Sequence, residues 1–224
     1  MKNLVLTILL SINLLPVVSQ SQTFKSPDYD TIKKVVQDTS SPNFYPKLMA
    51  RFLSLDSSLT SDDYTNLYYG YVFQKDYKPY ERIPEEQEFR SYISRLGNIT
   101  PVELDRMIEL GTTCRKKFPF NTDVAKYLWM AYQKKNDFST GMKLSVQSYH
   151  ILKVIKSSGD GKTPETAFHV LTVGNEYELL RSLFFKVESQ SLIGRNYDYI
   201  KLEPNESNID GLYFNIEKIR DTQR

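Results

Sequence analysis

Thr100-Pro101-Val102-Glu103-Leu104-Asp105-Arg106-Met107-Ile108-Glu109-Leu110 is the stretch that decides the fold. A threonine that can cap, a proline at the first helical position and a glutamate three residues after the threonine together predict a helix start. The helix should run to about Lys117 and bury Leu104, Ile108 and Leu110. Outward from it the same period recurs. Toward the amino terminus, Pro84 opens a helix with Phe89, Tyr92, Ile93 and Leu96 inside, and Thr60-Ser61-Asp62-Asp63 combines a hydroxyl cap with acids at the positive end of the helix dipole. Phe44, Leu48, Phe52 and Leu55 mark a further helix, and Ile32, Val35 and Val36 a short first one after Ser26-Pro27. Toward the carboxyl terminus, Val124–Lys135 and Phe138–Lys156 complete a series of antiparallel helices joined by short links.

After Ser157-Ser158-Gly159-Asp160-Gly161 the period changes. Ala167–Val173 and Phe184–Ile193 are rich in β-branched and aromatic residues, and Tyr197–Leu202 and Leu212–Ile219 flank a polar turn like hairpin arms. Residues 175–183 are expected to form one or two helical turns. The expected fold is therefore α+β: antiparallel, repeat-like helices over residues 22–157, then a small antiparallel sheet over 158–224, in one domain. Asn66, Tyr69-Gly70 and Phe73 match the tetratricopeptide pattern only in part, and no 34-residue self-similarity runs through the chain, so the packing is repeat-like without being that repeat.

The chain has 224 residues, 40% hydrophobic and 25% charged, with a formal net charge of +2. This is the composition of a folded protein with a real core, and so small a charge gives no case for nucleic acid. Residues 1–21, MKNLVLTILLSINLLPVVSQS, have one lysine, an apolar run from Leu4 to Leu15 and small residues before the candidate cuts after Ser19 or Ser21. They read as a secretory signal peptide. The expected product is exported, periplasmic or secreted, with no membrane span left after cleavage. No cysteine follows the apolar run, so acylation as a lipoprotein is not expected. Cys114, the single thiol, cannot form an intrachain disulfide and reads as a buried small residue.

Three blocks together resemble an uncharacterised family of secreted bacterial proteins, domain of unknown function 4919. They are Ser41-Pro42-Asn43-Phe44-Tyr45-Pro46-Lys47-Leu48-Met49, the segment Tyr64–Gln74 around Leu67-Tyr68-Tyr69-Gly70-Tyr71, and Ser158-Gly159-Asp160-Gly161-Lys162 with Ala167-Phe168-His169-Val170. The resemblance spans about residues 24–219. It implies export and a single structural unit, and it transfers no activity and no site.

No enzyme signature stands out. Gly161-Lys162-Thr163 has the ending of a phosphate-binding loop, but the required earlier glycine is Lys156 and no strand precedes it. Gly159 and Gly161 read instead as positions of positive φ in a helix-ending turn, with Asp160 accepting local N–H groups. Asp160, Lys162, His169 and Glu176 form the densest mixture of titratable groups, and Ser158, His169 and Asp160 have the residue types of a hydrolytic triad without its elbow. Two histidines and one cysteine at no ligand spacing give no expectation of metal, and no cofactor is expected.

The tyrosine block differs from these. Tyr64, Tyr68, Tyr69, Tyr71, Phe73, Tyr77 and Tyr80 exceed what one buried stripe needs, since Tyr69 and Phe73 lie off that stripe. Two readings follow: packing between helices with hydroxyls on neighbouring backbone, or an aromatic contact surface at Tyr69, Phe73 and Tyr77. The expected function is a non-enzymatic binding or scaffold module of the cell envelope, its partner another envelope protein, a peptide or a glycan, met at the aromatic block or the seam between helices and sheet. A hydrolase using groups near Asp160 and His169 is the alternative.

Overall fold

A computed structural model describes residues 24–223. The expected leader, residues 1–21, lies outside the described residues. Among the described residues, seven α-helices precede the first strand: α1 (Tyr29–Gln37), α2 (Tyr45–Leu53), α3 (Ser61–Gly70), α4 (Pro84–Ser91), α5 (Pro101–Lys117), α6 (Thr122–Lys134) and α7 (Phe138–Ser157). Thr60 and Thr100 both complete reciprocal capping boxes, with Asp63 and Glu103. The first helix is capped by Asp28, which accepts the Thr31 N–H, and not from Ser26. The tyrosine helix gives way after Gly70 to a tighter 3₁₀ turn, Tyr71–Phe73.

The carboxyl third holds β1 (Phe168–His169), α8 (Val173–Ser182), β2 (Val187–Ile193), β3 (Tyr197–Leu202), β4 (Gly211–Asn215) and α9 (Glu217–Asp221). Strand order is β1-β4-β3-β2. β3 pairs antiparallel with both β2 and β4 as the hairpin reading expects, while β1 lies parallel to β4, so the sheet is mixed. The parallel pair follows from the chain path: between β1 and β2 the chain turns into α8. The strands are shorter than the sequence pattern predicts at both ends of this region. Thr172 caps α8 by accepting the Asn175 N–H, which ends the extended run before Val173, and the chain turns helical again after Ile216.

Side chains bury themselves in two clusters. In one, α4, α5, α6 and the first half of α7 pack Phe89, Leu104, Met107, Leu110, Leu128 and Leu144. Met107 and Leu110 are the centre of the buried face of α5, and Ile108 is only partly covered. The helices approach closely here because residue 111 is glycine: a Cβ would come within 2.7 Å of Leu128 and Phe89. In the other cluster, α1, α2, α3, the second half of α7 and α8 cover the inner face of the sheet, where Ile200, Leu202, Leu212 and Phe214 are buried. Helix α7 contributes to both, so a single 20-residue helix ties the two clusters together.

Candidate functional site

The side chains singled out by sequence do not converge. Asp160 accepts the Lys162 backbone N–H at 3.1 Å and lies 3.7 Å from its Nζ, so these two pair with each other in the loop after α7. Burial pushes the Asp160 carboxyl up, but hydrogen bonds from Thr166 and Lys162 outweigh it and hold its pKa below the usual value. The Ser158 hydroxyl is fully engaged with backbone: it donates to the Ile155 carbonyl at 2.6 Å and accepts the His169 N–H at 2.9 Å. His169 is held neutral, its pKa lowered to about 4 by burial and then by Lys218. Glu176 lies on α8 beside Asp198 of β3, away from this loop. Of the two glycines, only Gly161 has a positive φ, +70°. Gly159 is required by close approach instead, since a Cβ there would come within 2.1 Å of the Thr166 carbonyl.

The aromatic block is interior. Tyr69 is 2% exposed and Tyr77 8%, while Phe73 is partly buried beside Tyr29 of α1. Their polar tips are directed at backbone: the Tyr77 hydroxyl donates to the Leu171 carbonyl at 2.9 Å, and Tyr69 reaches the His169 carbonyl at 3.4 Å. Tyr68 donates to Asn175 Oδ1 at 2.8 Å and accepts the Leu171 N–H at 3.1 Å. Three tyrosines thus hold the segment from His169 to Asn175 against the helical layer, and no exposed aromatic platform is built from them.

A cleft of about 390 Å³ opens at the seam between the two clusters. The connector after α3 and the turn before α6 supply its aromatic part, Tyr71, Phe118 and Phe120. Glu86 and Arg90 of α4 stand on one side, and Gly174, Asn175, Tyr177, Glu178 and Arg181 of α8 on the other. The floor is a buried network. Asn175 Nδ2 donates to the Phe120 carbonyl at 3.1 Å and to Glu178 Oε2 at 2.9 Å. Glu178 also accepts the Thr122 and Asp123 N–H groups, at 3.4 and 3.1 Å, which places its carboxylate on the free donors that begin α6. Burial raises the Glu178 pKa, and those three donors act against the rise.

Arg90 is already engaged at the rim, its Nε and Nη2 on Glu86 Oε1 at 2.9 and 2.6 Å and its Nη1 on Asp123 Oδ2 at 3.0 Å. Arg181 reaches Asp123 at 3.5 Å. Four carboxyl side chains, Glu81, Glu86, Asp123 and Glu178, line the cleft against these two guanidinium groups. The balance is acidic, and four aromatic side chains, Tyr71, Phe118, Phe120 and Tyr177, contribute to the walls, which suits a ligand carrying positive charge on an apolar body. Asp160, Lys162, His169 and Glu176 are not among its lining residues.

Sequence reading missed Asn175, Tyr177, Glu178 and Arg90. One signal was available: Thr172, with Asn175, Glu176 and Glu178 behind it, has the look of a capped helix start, which the apolar run to Val173 obscured. Among the described residues, no group of three or more His, Cys, Asp or Glu side chains gathers as a metal site, and no helix is long and apolar enough to cross a membrane. Cys114 is buried, its thiol pushed up to about 11 mainly by that burial.

A family model for a domain of unknown function, DUF4919, matches residues 30–224. No curated protein and no solved structure matches the chain.

Proposed function

The chain belongs to the DUF4919 family, matched over residues 30–224, and from that premise we propose that it is an exported, non-enzymatic binding module of the cell envelope that takes a basic peptide segment in its seam cleft. The observation that carries this reading is the cleft itself: about 390 Å³, partly aromatic, acidic in balance, and floored by Asn175 and Glu178, whose hydrogen bonds are already made to each other and to backbone. Such a floor is preorganised, so a ligand would meet fixed walls and lose little to ordering them. Lysine or arginine side chains of a peptide would find carboxylates at the rim and rings below them.

Export is supported by the apolar, single-lysine pattern of residues 1–21. A soluble product is supported by the lack of any spanning helix among the described residues. Binding is preferred to hydrolysis because the Ser158 hydroxyl is engaged with backbone and, among the described residues, no carboxylate is hydrogen-bonded to His169 as a triad requires. Two measurements test the proposal. The intact mass of the protein from the envelope fraction of the producing cell should correspond to a chain beginning at Gln20 or Gln22, and a full-length mass in the cytosol would contradict export. In an NMR titration, Lys-Tyr-Lys should shift the amides of Asn175, Tyr177 and Arg90 while Glu-Tyr-Glu leaves them in place. Equal shifts from both peptides, or none at millimolar concentration, would contradict the cleft as a basic-peptide site.

A further inference from the structure

Beside the cleft, two acids are buried together with no basic side chain paired to either among the described residues. Glu176 of α8 is 0% exposed and Asp198 of β3 is 7% exposed. Both accept from one amide nitrogen: Gln190 Nε2 lies 3.0 Å from Glu176 Oε2 and 2.7 Å from Asp198 Oδ2. The orientation of that amide is set by Tyr177, whose hydroxyl donates to Gln190 Oε1. The other oxygen of Glu176, Oε1, is buried and has no hydrogen-bond partner. The strand residues paired with Asp198 on either side are Leu192 of β2 and Phe214 of β4, both apolar. Among the described residues, the groups acting on Glu176 are therefore Asp198, Gln190 and, through Gln190, Tyr177, with no lysine, arginine or histidine beside them.

We propose that Glu176 and Asp198 form a proton-binding site, in which two carboxyl groups hold one proton between them beneath Gln190 and its release loosens the cleft wall formed by Tyr177. Two adjacent carboxylates in an apolar setting repel each other, and neither has a cation to offset the loss of water. One proton removes one charge and turns a carboxyl into a donor, which supplies the partner that Glu176 lacks. Burial first, and then Asp198, push the Glu176 pKa up to about 9. Gln190 is exposed on the edge strand, so it is the cover through which the proton would leave. Tyr177 lines the cleft, and its hydroxyl bond to Gln190 joins the two sites. The effect on the cleft rests on the binding function proposed above, while the proton site does not depend on it.

The sign of the pH dependence follows from the raised value. Above about pH 4.5 the unfolded chain releases a proton that the folded chain keeps until about pH 9, so the folding constant should fall as pH rises through that window and level off beyond it. Urea unfolding of the whole chain, without ligand, between pH 5 and 9 reads this directly when the parent is compared with Glu176→Gln and Asp198→Asn. Glutamine is neutral and can donate to Asp198 without taking up a proton. The ratio of the parent folding constant to that of Glu176→Gln should therefore drop about tenfold per pH unit, the slope of one proton. Asp198→Asn should end the drop at a lower pH.

In the folded parent, the Gln190 side-chain amide and Tyr177 ring signals should move with the same midpoint as the Glu176 carboxyl. Parallel pH profiles for parent and Glu176→Gln would overturn the proton site. If Glu176→Gln does not fold, an Asp198→Asn profile parallel to the parent's would overturn it equally. Ring signals of Tyr177 that stay fixed while Glu176 titrates would overturn the link to the cleft. Because no peptide is present, failure here leaves the binding proposal untouched, and failure of peptide binding leaves the proton site untouched.

Discussion

The two clusters of this molecule are held by different means. Around α5 the buried members are Phe89, Ile99, Leu104, Met107, Leu110, Val124, Leu128, Ala131 and Leu144 with Cys114, and none of them is a tyrosine. Beneath the sheet, six tyrosines are buried: Tyr45, Tyr64, Tyr68, Tyr69, Tyr71 and Tyr77. The first cluster joins helices close in sequence and needs only area and fit. The second joins residues about a hundred positions apart, and there Tyr68, Tyr69 and Tyr77 add directed bonds to Asn175, His169 and Leu171. A buried hydroxyl must find its partner, so it fixes position as well as adding contact. The tyrosine block is a clasp that sets α8 against the helical layer, and the cleft lies where that clasp meets the aliphatic cluster.

Breaking the aliphatic side should cost most. Phe89→Ala removes a fully buried ring from between α4 and α5 and should lower stability by about 3–5 kcal/mol in urea unfolding. A loss under about 1 kcal/mol would mean that the cluster does not rest on packing. Tyr68→Phe keeps the ring and removes only the clasp, leaving Asn175 Oδ1 and the Leu171 N–H without their partner. About 1–3 kcal/mol should be lost, with amide shifts concentrated at residues 169–178. A loss of the same size spread evenly over both clusters would erase the distinction drawn between them.

The smallest effect is that of His169. Its folded pKa of about 4 lies below the ordinary 6.5, so the unfolded chain takes up a proton first and stability should fall as pH drops from about 6.5 toward 4. Its share at pH 5 is on the order of 1–2 kcal/mol, and His169→Gln should remove it. An unchanged acid profile in that variant would place the acid sensitivity elsewhere.

How much of this was legible in sequence depends on how far apart the deciding residues lie. Thr100, Glu103, Thr60 and Asp63 act within three positions of each other, and both helix starts they mark are where the sequence puts them. Tyr197–Leu202 was bounded by its own alternation, and its pairing with the strand after the polar turn follows from hairpin patterning. Val173 and Ile219 continue apolar runs that predict strand, and both are helical. The cap at Thr172, and the Glu217 N–H donating to Asn215 Oδ1, end those runs. The fate of Tyr69 could not be read locally, since its partner is a carbonyl one hundred residues away. The cleft was hidden for the same reason: its lining comes from four separate stretches that meet only in the folded chain.

One comparison of affinities bears most directly on the claim that the seam, and not the tyrosine block, meets the partner. Gly174 lines the cleft on α8, and a Cβ added there meets only Thr172 Oγ1, at 3.5 Å, so Gly174→Trp should fold normally and fill the site. Tyr69→Phe removes one long hydrogen bond inside the clasp. Titrated with Lys-Tyr-Lys, Gly174→Trp should bind at least about tenfold more weakly than the parent, a difference of roughly 1.4 kcal/mol, while Tyr69→Phe binds as the parent does. Parent-like binding by Gly174→Trp, or its loss in Tyr69→Phe, would contradict the account.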